Sequence, residues 1–180
     1  MVTNLKETVR ARIRSIPDFP KKGIMFRDIT PLLNDRTAFM QVVDFFTSRY
    51  RDRGITRVVS IESRGFILGS TLAYNLGAGF VPVRKPGKLP FQTIRESYTL
   101  EYGQDALEMH TDAIRKGDIA LIVDDLLATG GTAVATSNLV ERSGATVLEL
   151  SFLIELSYLH GRNKLGPRPV FALIDYPQEL

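Results

Sequence analysis

Apolar runs and helical patterns alternate along this chain, and the alternation predicts an α/β fold. Short, mostly apolar runs typical of buried strands occur at 57–61, 80–83, 119–123 and 147–154. Apolar residues with helical spacing occur at 39–50, 65–76 and 132–143. We therefore expect one domain over residues 1–180, with a mostly parallel central sheet flanked by helices.

The ends of two predicted helices carry further signals. Basic and apolar residues mix over 5–16 in the manner of a short amphipathic helix, which Pro17 and Pro20 would end. Asn34 and Asp35 are both candidate caps for the helix over 39–50. The local sequence pattern does not indicate which of these two residues caps the helix.

The alternation breaks between residues 84 and 117. Residues 85–90 read Lys-Pro-Gly-Lys-Leu-Pro, which combines turn formers with positive charge. Strand-like pieces at 98–102 and 106–112 flank Gly103, so the insertion is expected to be a mobile hairpin that closes over a site and excludes water. The alternative is a solvated surface hairpin whose lysines only aid solubility.

Composition narrows the class of protein without deciding its function. The chain has 180 residues, is 44% hydrophobic and 24% charged, and contains no cysteine, so disulfide and thiolate chemistry are excluded. Residues 1–14 are charged, and no segment approaches the ~18 apolar residues of a membrane span, so we expect a cytoplasmic protein without a membrane partner. A net charge of +3 suits anionic substrates but is too small to indicate nucleic acid.

The most specific chemistry lies at 121–132, which read Leu-Ile-Val-Asp-Asp-Leu-Leu-Ala-Thr-Gly-Gly-Thr. An apolar strand leads into small and hydroxyl residues at a helix N-terminus, where backbone N–H groups favour a phosphate. Asp124 and Asp125 sit at the carboxyl end of the strand, where open α/β sheets bind ligands. Adjacent carboxylates would repel a phosphate alone, so a sugar phosphate that chelates magnesium is expected.

Other interpretations of this string are weaker. Asp124 and Asp125 could only end the strand and cap the next helix, as Asp often does. The string lacks the lysine of a nucleoside-triphosphatase P-loop and the spacing of a dinucleotide-binding fingerprint, so neither of those motifs fits.

At 123–132 the sequence resembles the phosphoribosyl diphosphate (PRPP) signature of type I phosphoribosyltransferases, and its Leu-Leu-Ala-Thr form is similar to that of the adenine phosphoribosyltransferase family. Further segments resemble the same family at 19–29, 62–66 and 97–103, and the similarity continues through Glu155 and Leu156. It covers nearly the whole chain. The resemblance implies the type I phosphoribosyltransferase fold, with a small N-terminal hood and base-binding segment at 1–34 and a flexible catalytic loop and hairpin at 84–117.

The resemblance also implies the reaction. Adenine and PRPP would combine to give AMP and pyrophosphate, with Mg²⁺ bound together with PRPP, in a homodimer. Backbone and hydroxyl groups would donate hydrogen bonds to the 5-phosphate from Ala128, Thr129, Gly130, Gly131 and Thr132. Asp124 and Asp125 would face the ribose hydroxyls directly or through water on magnesium, and their charge would favour a cation-like sugar.

Several basic residues are candidates for the pyrophosphate. Arg64 directly follows the predicted strand over 57–61 and is placed to meet pyrophosphate or the base; the alternative is a surface ion pair with Glu62. Arg84, Lys85 and Lys88 resemble residues that reach pyrophosphate, across a dimer interface or within one chain, although a solvated basic run is the alternative. The resemblance also makes the peptide bonds on either side of Ser63 candidates for a cis conformation.

Base recognition is assigned by resemblance to a separate group of residues. The backbone at Met25, Phe26 and Arg27 would read the adenine amino edge, with Phe26 packed on one face of the ring and Leu156 on the other. Glu101 resembles the loop carboxylate that acts as acid or base toward the purine. Plain core packing is the alternative for Phe26 and Leu156, and an exposed strand position is the alternative for Glu101.

Two other functions stay open at this point. One is a phosphoribosyltransferase for hypoxanthine, guanine, xanthine or orotate, against which the segments at 26–28 and 100–102 argue. The other is a non-catalytic regulator that binds PRPP and nucleic acid. Such a regulator should carry a broad basic face or an added DNA-binding segment, for which 180 residues leave no room.

Overall fold

The computed structural model describes residues 2–99 and 103–179, and these form five α-helices and nine β-strands. The helices are α1 (Val2–Arg10), α2 (Thr30–Asn34), α3 (Arg36–Tyr50), α4 (Gly65–Leu76) and α5 (Gly131–Arg142). The strands are β1 (Arg14–Ile16), β2 (Phe26–Asp28), β3 (Arg57–Ile61), β4 (Gly79–Val83), β5 (Thr93–Thr99), β6 (Gln104–His110), β7 (Ile119–Leu127), β8 (Thr146–Leu156) and β9 (Val170–Tyr176). Two 3-10 helices, Ser157–Leu159 and Gly161–Leu165, join β8 to β9. Within the described ranges, no helix combines the length and the apolar character that crossing a membrane requires.

Five strands form one parallel sheet in the order β4-β3-β7-β8-β9. The chain steps outward from β3 to β4 and later returns to place β7 on the other side of β3. The strand order therefore reverses between β3 and β7, and open α/β sheets bind ligands beyond the carboxyl ends of the strands at such a point. The parallel sheet with its helices confirms the predicted fold class.

Apolar side chains bury both faces of this sheet. Val58 and Leu121 belong to one buried cluster, which includes residues of α3 and α4. Their neighbours Val59 and Ile122 belong to a second cluster, with residues of α5 and β6. A strand covered on both faces has no polar side, which explains why β3 and β7 appear in the sequence as mostly apolar runs.

The N-terminal helix is shorter than its pattern predicts. α1 ends at Arg10, and Arg14–Ile16 form β1, which pairs antiparallel with β2. Arg14 lies opposite Asp28, with Nη1 of the arginine 3.8 Å from a carboxylate oxygen. The predicted helix over 5–16 is therefore wrong in its second half, because pairing with a later segment overrides the local helical period. Of the two candidate caps for α3, Asp35 is the one used; its side chain accepts the Ala38 N–H at 3.0 Å.

Strand β7 is longer than its apolar run. It continues past Val123 to Leu127, which lies opposite Glu155 of β8. Asp124 and Asp125 consequently lie inside the strand rather than just after it, because pairing with β8 carries the extended backbone beyond the apolar residues. The structure also adds β9, an apolar strand that the sequence pattern left unassigned.

The insertion between β4 and β7 contains the predicted hairpin. β5 and β6 pair antiparallel from Thr93 opposite His110 to Thr99 opposite Gln104. The first strand begins earlier than the predicted piece at 98–102, and residues 100–102 lie outside the described ranges.

Candidate active site

Two adjoining cavities open at the carboxyl edge of the sheet. The first cavity, of about 460 Å³, lies between the β3–α4 and β7–α5 connections. The second cavity, of about 650 Å³, lies between the β7–α5 connection, residues 20–27 and the segment after β8. The linings of the two cavities share Arg64, Leu126, Ala128 and Thr129. A ligand that occupies both cavities would contact these shared residues.

Residues 128–132, the predicted phosphate loop, line the first cavity. Gly130 has a φ of 82°, a left-handed conformation that glycine adopts at little cost, and α5 begins at Gly131. The N–H groups in the first turn of a helix have no acceptor within the helix, and they form the positive end of its dipole. This arrangement suits an anion such as a phosphate.

The two aspartates of the signature are both buried beside this loop, with 8% of Asp124 and 6% of Asp125 exposed. The N–H of Asp125 donates to Oδ1 of Asp124 at 2.9 Å, and Oδ2 of Asp125 lies 2.6 Å from Nε of Arg64. Burial and the charge of Asp125 raise the pKa of Asp124 well above its ordinary value. Burial also raises the pKa of Asp125, against the opposing charge of Arg64. The pair therefore carries an electrostatic cost that a bound cation would offset.

Neither aspartate caps α5. The N-cap of this helix is Gly130, and no side chain makes a capping hydrogen bond there. Both aspartates lie within β7. The alternative in which Asp124 and Asp125 only end the strand and cap the next helix is therefore wrong.

The β3–α4 connection places Arg64 where the two cavities meet. The peptide bond between Glu62 and Ser63 is cis, at one of the two predicted positions. Arg64 pairs with Asp125 instead of Glu62, and its guanidinium carbon lies 4.8 Å from the centre of the Phe26 ring. The predicted alternative of a surface pair with Glu62 is therefore wrong. Arg64 contacts Asp125, which lines the first cavity, and Phe26, which lines the second.

Gly65 permits a close approach between α4 and β7. A Cβ atom at this position would lie 2.6 Å from Oδ1 of Asp124 and 3.2 Å from the carbonyl oxygen of Val123. Any larger residue would displace the buried carboxylate or the helix.

Among the described residues, the lining of the first cavity does not include Arg84, Lys85 or Lys88. Nε of Arg84 lies 2.6 Å from Oε2 of Glu62, which is itself a lining residue, and its Nη1 donates to the carbonyl of Lys88 at 3.2 Å. Nζ of Lys85 lies 3.1 Å from Oδ2 of Asp105. The structure thus brings Arg84 to the rim of the cavity and engages Lys85 in a separate ion pair.

The hairpin contributes Tyr98 to the first cavity, a residue that is not among the predicted site residues. Its ring faces Gly131, where a Cβ atom would lie 2.9 Å from Cδ2 of the tyrosine. Its hydroxyl donates to Oδ2 of Asp105 at 3.3 Å, and burial together with the Asp105 charge raises the pKa of Tyr98 to about 12. Tyr98 is therefore a neutral donor at physiological pH. Glu101, the predicted acid or base, lies outside the described residues.

The predicted base residues all line the second cavity: Met25, Phe26, Arg27 and Leu156. The Arg27 side chain is buried, with its guanidinium carbon 4.1 Å from the centre of the Tyr176 ring and Nη2 donating to the carbonyl of Glu179 at 2.8 Å. Its charged end therefore ties the last described residues to the cavity wall. Tyr158, Leu159 and Glu179 also line this cavity. The first two closely follow Leu156 in the chain, and Glu179 is joined to Arg27 by the hydrogen bond to its carbonyl.

Comparison with known proteins identifies the family. Residues 30–165 match the family described as "Phosphoribosyl transferase domain". A relative from Anaeromyxobacter sp. (strain Fw109-5), named adenine phosphoribosyltransferase, is 57% identical over 170 residues, which span 94% of this chain and 96% of the relative. The chain belongs to the adenine phosphoribosyltransferase family.

Solved adenine phosphoribosyltransferases share this fold. The enzyme from Rhodothermus marinus superposes with a TM-score of 0.93 at 52% identity, covering 97% of this chain and 99% of that one. The enzyme from Saccharomyces cerevisiae superposes with a TM-score of 0.90 at 41% identity, covering 95% and 99%; it is complexed with D-2,5-dideoxy-2,5-imino-altritol 1,6-bisphosphate and adenine. The match at 30–165 to the phosphoribosyl transferase domain includes both connections that line the first cavity, whereas Met25, Phe26 and Arg27 precede it.

Proposed function

We propose that this chain acts in purine salvage and transfers the 5-phosphoribosyl group of PRPP to adenine, giving AMP and pyrophosphate. The observation that carries the proposal is the junction of the two cavities at Arg64. A sugar phosphate would bind in the first cavity, at residues 128–132 and at Asp124 and Asp125. A flat base would bind in the second cavity, and the two ligands would meet where the cavities adjoin. The names of the relatives support adenine as the base.

The first cavity would bind the ribose 5-phosphate. Backbone and hydroxyl groups of Ala128 to Thr132 would donate to the phosphate. Asp124 and Asp125 would accept from the ribose hydroxyls or from water on a metal ion. As pyrophosphate leaves, the anomeric carbon becomes cation-like, and the two buried carboxylates would stabilise that charge without reorganising. Positioning, rather than a protein nucleophile, would supply most of the catalysis.

Magnesium fits this donor set. Mg²⁺ is commonly held by one or two carboxylates together with substrate phosphates and water, and Asp124 and Asp125 supply two carboxylates at the cavity. When bound with PRPP, the ion would neutralise the charge that develops on pyrophosphate. The protein residues would orient the ribose, and the charges of Arg64 and of the bound ion would favour the ionised aspartates against the effect of burial.

The pyrophosphate would be met by Arg64 within the first cavity and by Arg84, Lys85 and Lys88 from the loop over 84–117. Arg84 and Lys85 pair with acidic side chains in the described structure. When the loop closes, Arg84 and Lys85 would leave these acidic side chains and bind pyrophosphate. Loop closure would also exclude water from the reacting atoms. Closure would also bring Glu101 to the base.

The second cavity would bind adenine between Phe26 and Leu156, with backbone groups of Met25 and Arg27 at the edge of the ring. Glu101 would act as the acid or base for the ring nitrogen whose protonation changes as the glycosidic bond forms. Residues 1–34 would form the N-terminal hood and supply the base-binding segment of this cavity.

The homodimer and the cytoplasmic location stay predictions, as does the expectation of no nucleic-acid partner. Sedimentation velocity tests the dimer, and a gel-shift titration with duplex DNA tests the last. None of the three predictions enters the residue roles assigned above.

A turnover assay tests the proposal. The protein is mixed with PRPP and Mg²⁺ together with adenine, hypoxanthine, guanine or xanthine, and pyrophosphate release is measured. We expect release with adenine to exceed that with every other base by at least about 100-fold, because a site built to pair with one exocyclic group leaves buried polar groups unpaired with another. An Asp124→Asn variant serves as the matched inactive control.

Three outcomes would redirect the proposal. Absence of adenine-dependent pyrophosphate release contradicts it. Faster release with hypoxanthine, guanine or xanthine supports a phosphoribosyltransferase for another base. PRPP binding without turnover on any base supports the non-catalytic regulator.

A further inference from the structure

We propose that Arg162 and Glu155 are positioning residues, which hold the phosphate loop in its binding geometry through the backbone of Gly161. This inference rests on the proposed function, because it assumes that residues 128–132 bind the ribose phosphate. It assigns a role in PRPP binding to the second 3-10 helix after β8, Gly161–Leu165, whose residues do not line either cavity among the described residues.

The first step is a backbone contact between Gly161 and the loop. A Cβ atom on Gly161 would overlap the carbonyl oxygen of Ala128 and lie 2.8 Å from the amide nitrogen of Gly130. In the reverse direction, a Cβ atom on Gly130 would lie 2.5 Å from the carbonyl oxygen of Gly161. The two backbones are therefore packed against each other with no room for a side chain on either one.

The second step is an anchor on the next residue. Arg162 Nε donates to Oε1 of Glu155 at 2.9 Å, and Nη2 donates to the other carboxylate oxygen. A third nitrogen, Nη1, donates to the carbonyl of Val170 at 2.8 Å. Glu155 is near the end of β8 and Val170 begins β9, so one guanidinium fastens the segment to two strands of the sheet. The Glu155 side chain is 8% exposed and that of Arg162 is 45% exposed, so loss of the arginine would leave a largely buried carboxylate without this partner.

The loop needs such support because its own residues restrain it weakly. Gly130 and Gly131 have wide conformational freedom, and no side chain of the loop is larger than threonine. The binding of phosphate by N–H groups depends on their direction, and a displacement of about 1 Å is enough to cost a large part of the effect. Among the described residues, Arg162 is absent from the linings of both cavities, and it adjoins the phosphate loop through the backbone of Gly161.

The same strand supplies a matched control at its other end. Glu149 is also on β8 and also buried, and it accepts from Nε and Nη2 of Arg49 at distances of 3.0 to 3.2 Å. Arg49 is in the last turn of α3 and does not line either cavity among the described residues. Both pairs join an arginine to a buried glutamate of β8, but only Arg162 adjoins a residue that contacts the loop.

The experiment compares Arg162→Gln and Arg49→Gln in the full chain. Binding of ribose 5-phosphate and of adenine is measured by calorimetry, KM and kcat are measured for both substrates, and Tm is measured without ligand. We expect Arg162→Gln to weaken ribose 5-phosphate binding and raise the KM for PRPP by about tenfold or more. The kcat and the adenine affinity should stay within about threefold, which is the signature of lost uniform binding. Arg49→Gln should lower Tm with both affinities retained.

Arg162→Lys gives a graded second test. Lysine keeps the charge but cannot make the bidentate contact or reach Val170 at the same time, so its PRPP KM should fall between those of the unchanged protein and Arg162→Gln. If Arg162→Gln does not fold, this variant decides by the same criteria.

The outcomes separate the inference from the proposed function. If the unchanged protein shows neither ribose 5-phosphate binding nor adenine-dependent turnover, the proposed function fails. If it binds, but Arg162→Gln loses only Tm and keeps its affinity, the positioning role is refuted. Equal loss of ribose 5-phosphate affinity in Arg49→Gln and Arg162→Gln would also refute it, since the effect would then follow general destabilisation.

Discussion

Replacement of Asp124 by asparagine should stabilise the ligand-free protein above acidic pH while removing most of its turnover. Asp124 is buried and lies next to a second buried carboxyl group. Its Oδ1 accepts the N–H of Asp125 at 2.9 Å, and an asparagine Oδ1 can accept the same bond. The substitution therefore removes a buried charge and leaves the local hydrogen bond in place.

The pH dependence follows from the direction of the pKa change. Burial, followed by the charge of Asp125, raises the pKa of Asp124 in the folded protein. Between the ordinary Asp pKa of about 3.9 and the higher folded value, the folded state keeps a proton that the unfolded state has lost. The free energy of unfolding thus falls as pH rises through this interval, and the full penalty remains at higher pH. An asparagine carries no such penalty.

The size of the effect can be stated per pKa unit. Each unit by which the folded pKa exceeds the unfolded one costs about 1.4 kcal/mol once pH is above both values. For a chain of this length, 1 kcal/mol changes Tm by roughly 2–4 °C. We therefore expect Asp124→Asn to raise Tm at pH 8 by roughly 3–6 °C for each unit of that difference, and by much less at pH 3.

The assay is a thermal melt from pH 3 to pH 8 without ligand, paired with a turnover measurement. Turnover should fall by about 100-fold or more because a charge directed at the cation-like sugar is lost. Asp125→Asn is the comparison; it should also lower turnover but stabilise less, because Arg64 loses the carboxylate 2.6 Å from its Nε. A Tm difference that does not change with pH, or a lower Tm for Asp124→Asn at pH 8, would refute this electrostatic reasoning.

Three further substitutions test separate parts of the molecule. Glu101→Gln should lower kcat with little loss of PRPP affinity; loss of PRPP binding alone would contradict a role at the base. Phe26→Ala should raise the KM for adenine by about tenfold and leave ribose 5-phosphate binding intact in calorimetry, since the ring lines only the second cavity. Tyr50→Phe should cost about 1.5–3 kcal/mol in urea unfolding with turnover unchanged, because it removes the hydroxyl that donates to buried Glu149 at 2.6 Å.

Local sequence pattern predicted four of the five strands of the central sheet because each contains an apolar run, but it did not predict β9. α4 begins and ends where the pattern places it, and β3 does the same. The pattern failed where distant pairing decides the structure. β1 exists because it pairs with β2, and β7 continues through two charged residues because β8 lies beside it. No local period contains that information.

For the candidate site, the sequence identified individual residues, and the structure showed which of them contact one another. The loop residues, the aspartates and Arg64 could be named from one strand-end signature and one short motif. The pairing of Arg64 with Asp125 and the contact of Gly161 with the loop could not, because each joins segments that are remote in the chain. Tyr98 lies within a segment that resembles the family, yet its position over Gly131 depends on the fold of the hairpin.

The position of Arg64 between the cavities has a thermodynamic consequence. Its guanidinium contacts Asp125 of the first cavity and the Phe26 ring of the second, so a ligand in either cavity acts on the same group. Binding free energies that share one group are linked, and the linkage is reciprocal: if occupancy of the first cavity changes the adenine affinity by some factor, adenine changes the phosphoribosyl affinity by the same factor. The coupling between the two ligands is then carried by this one side chain, and it belongs to neither cavity alone.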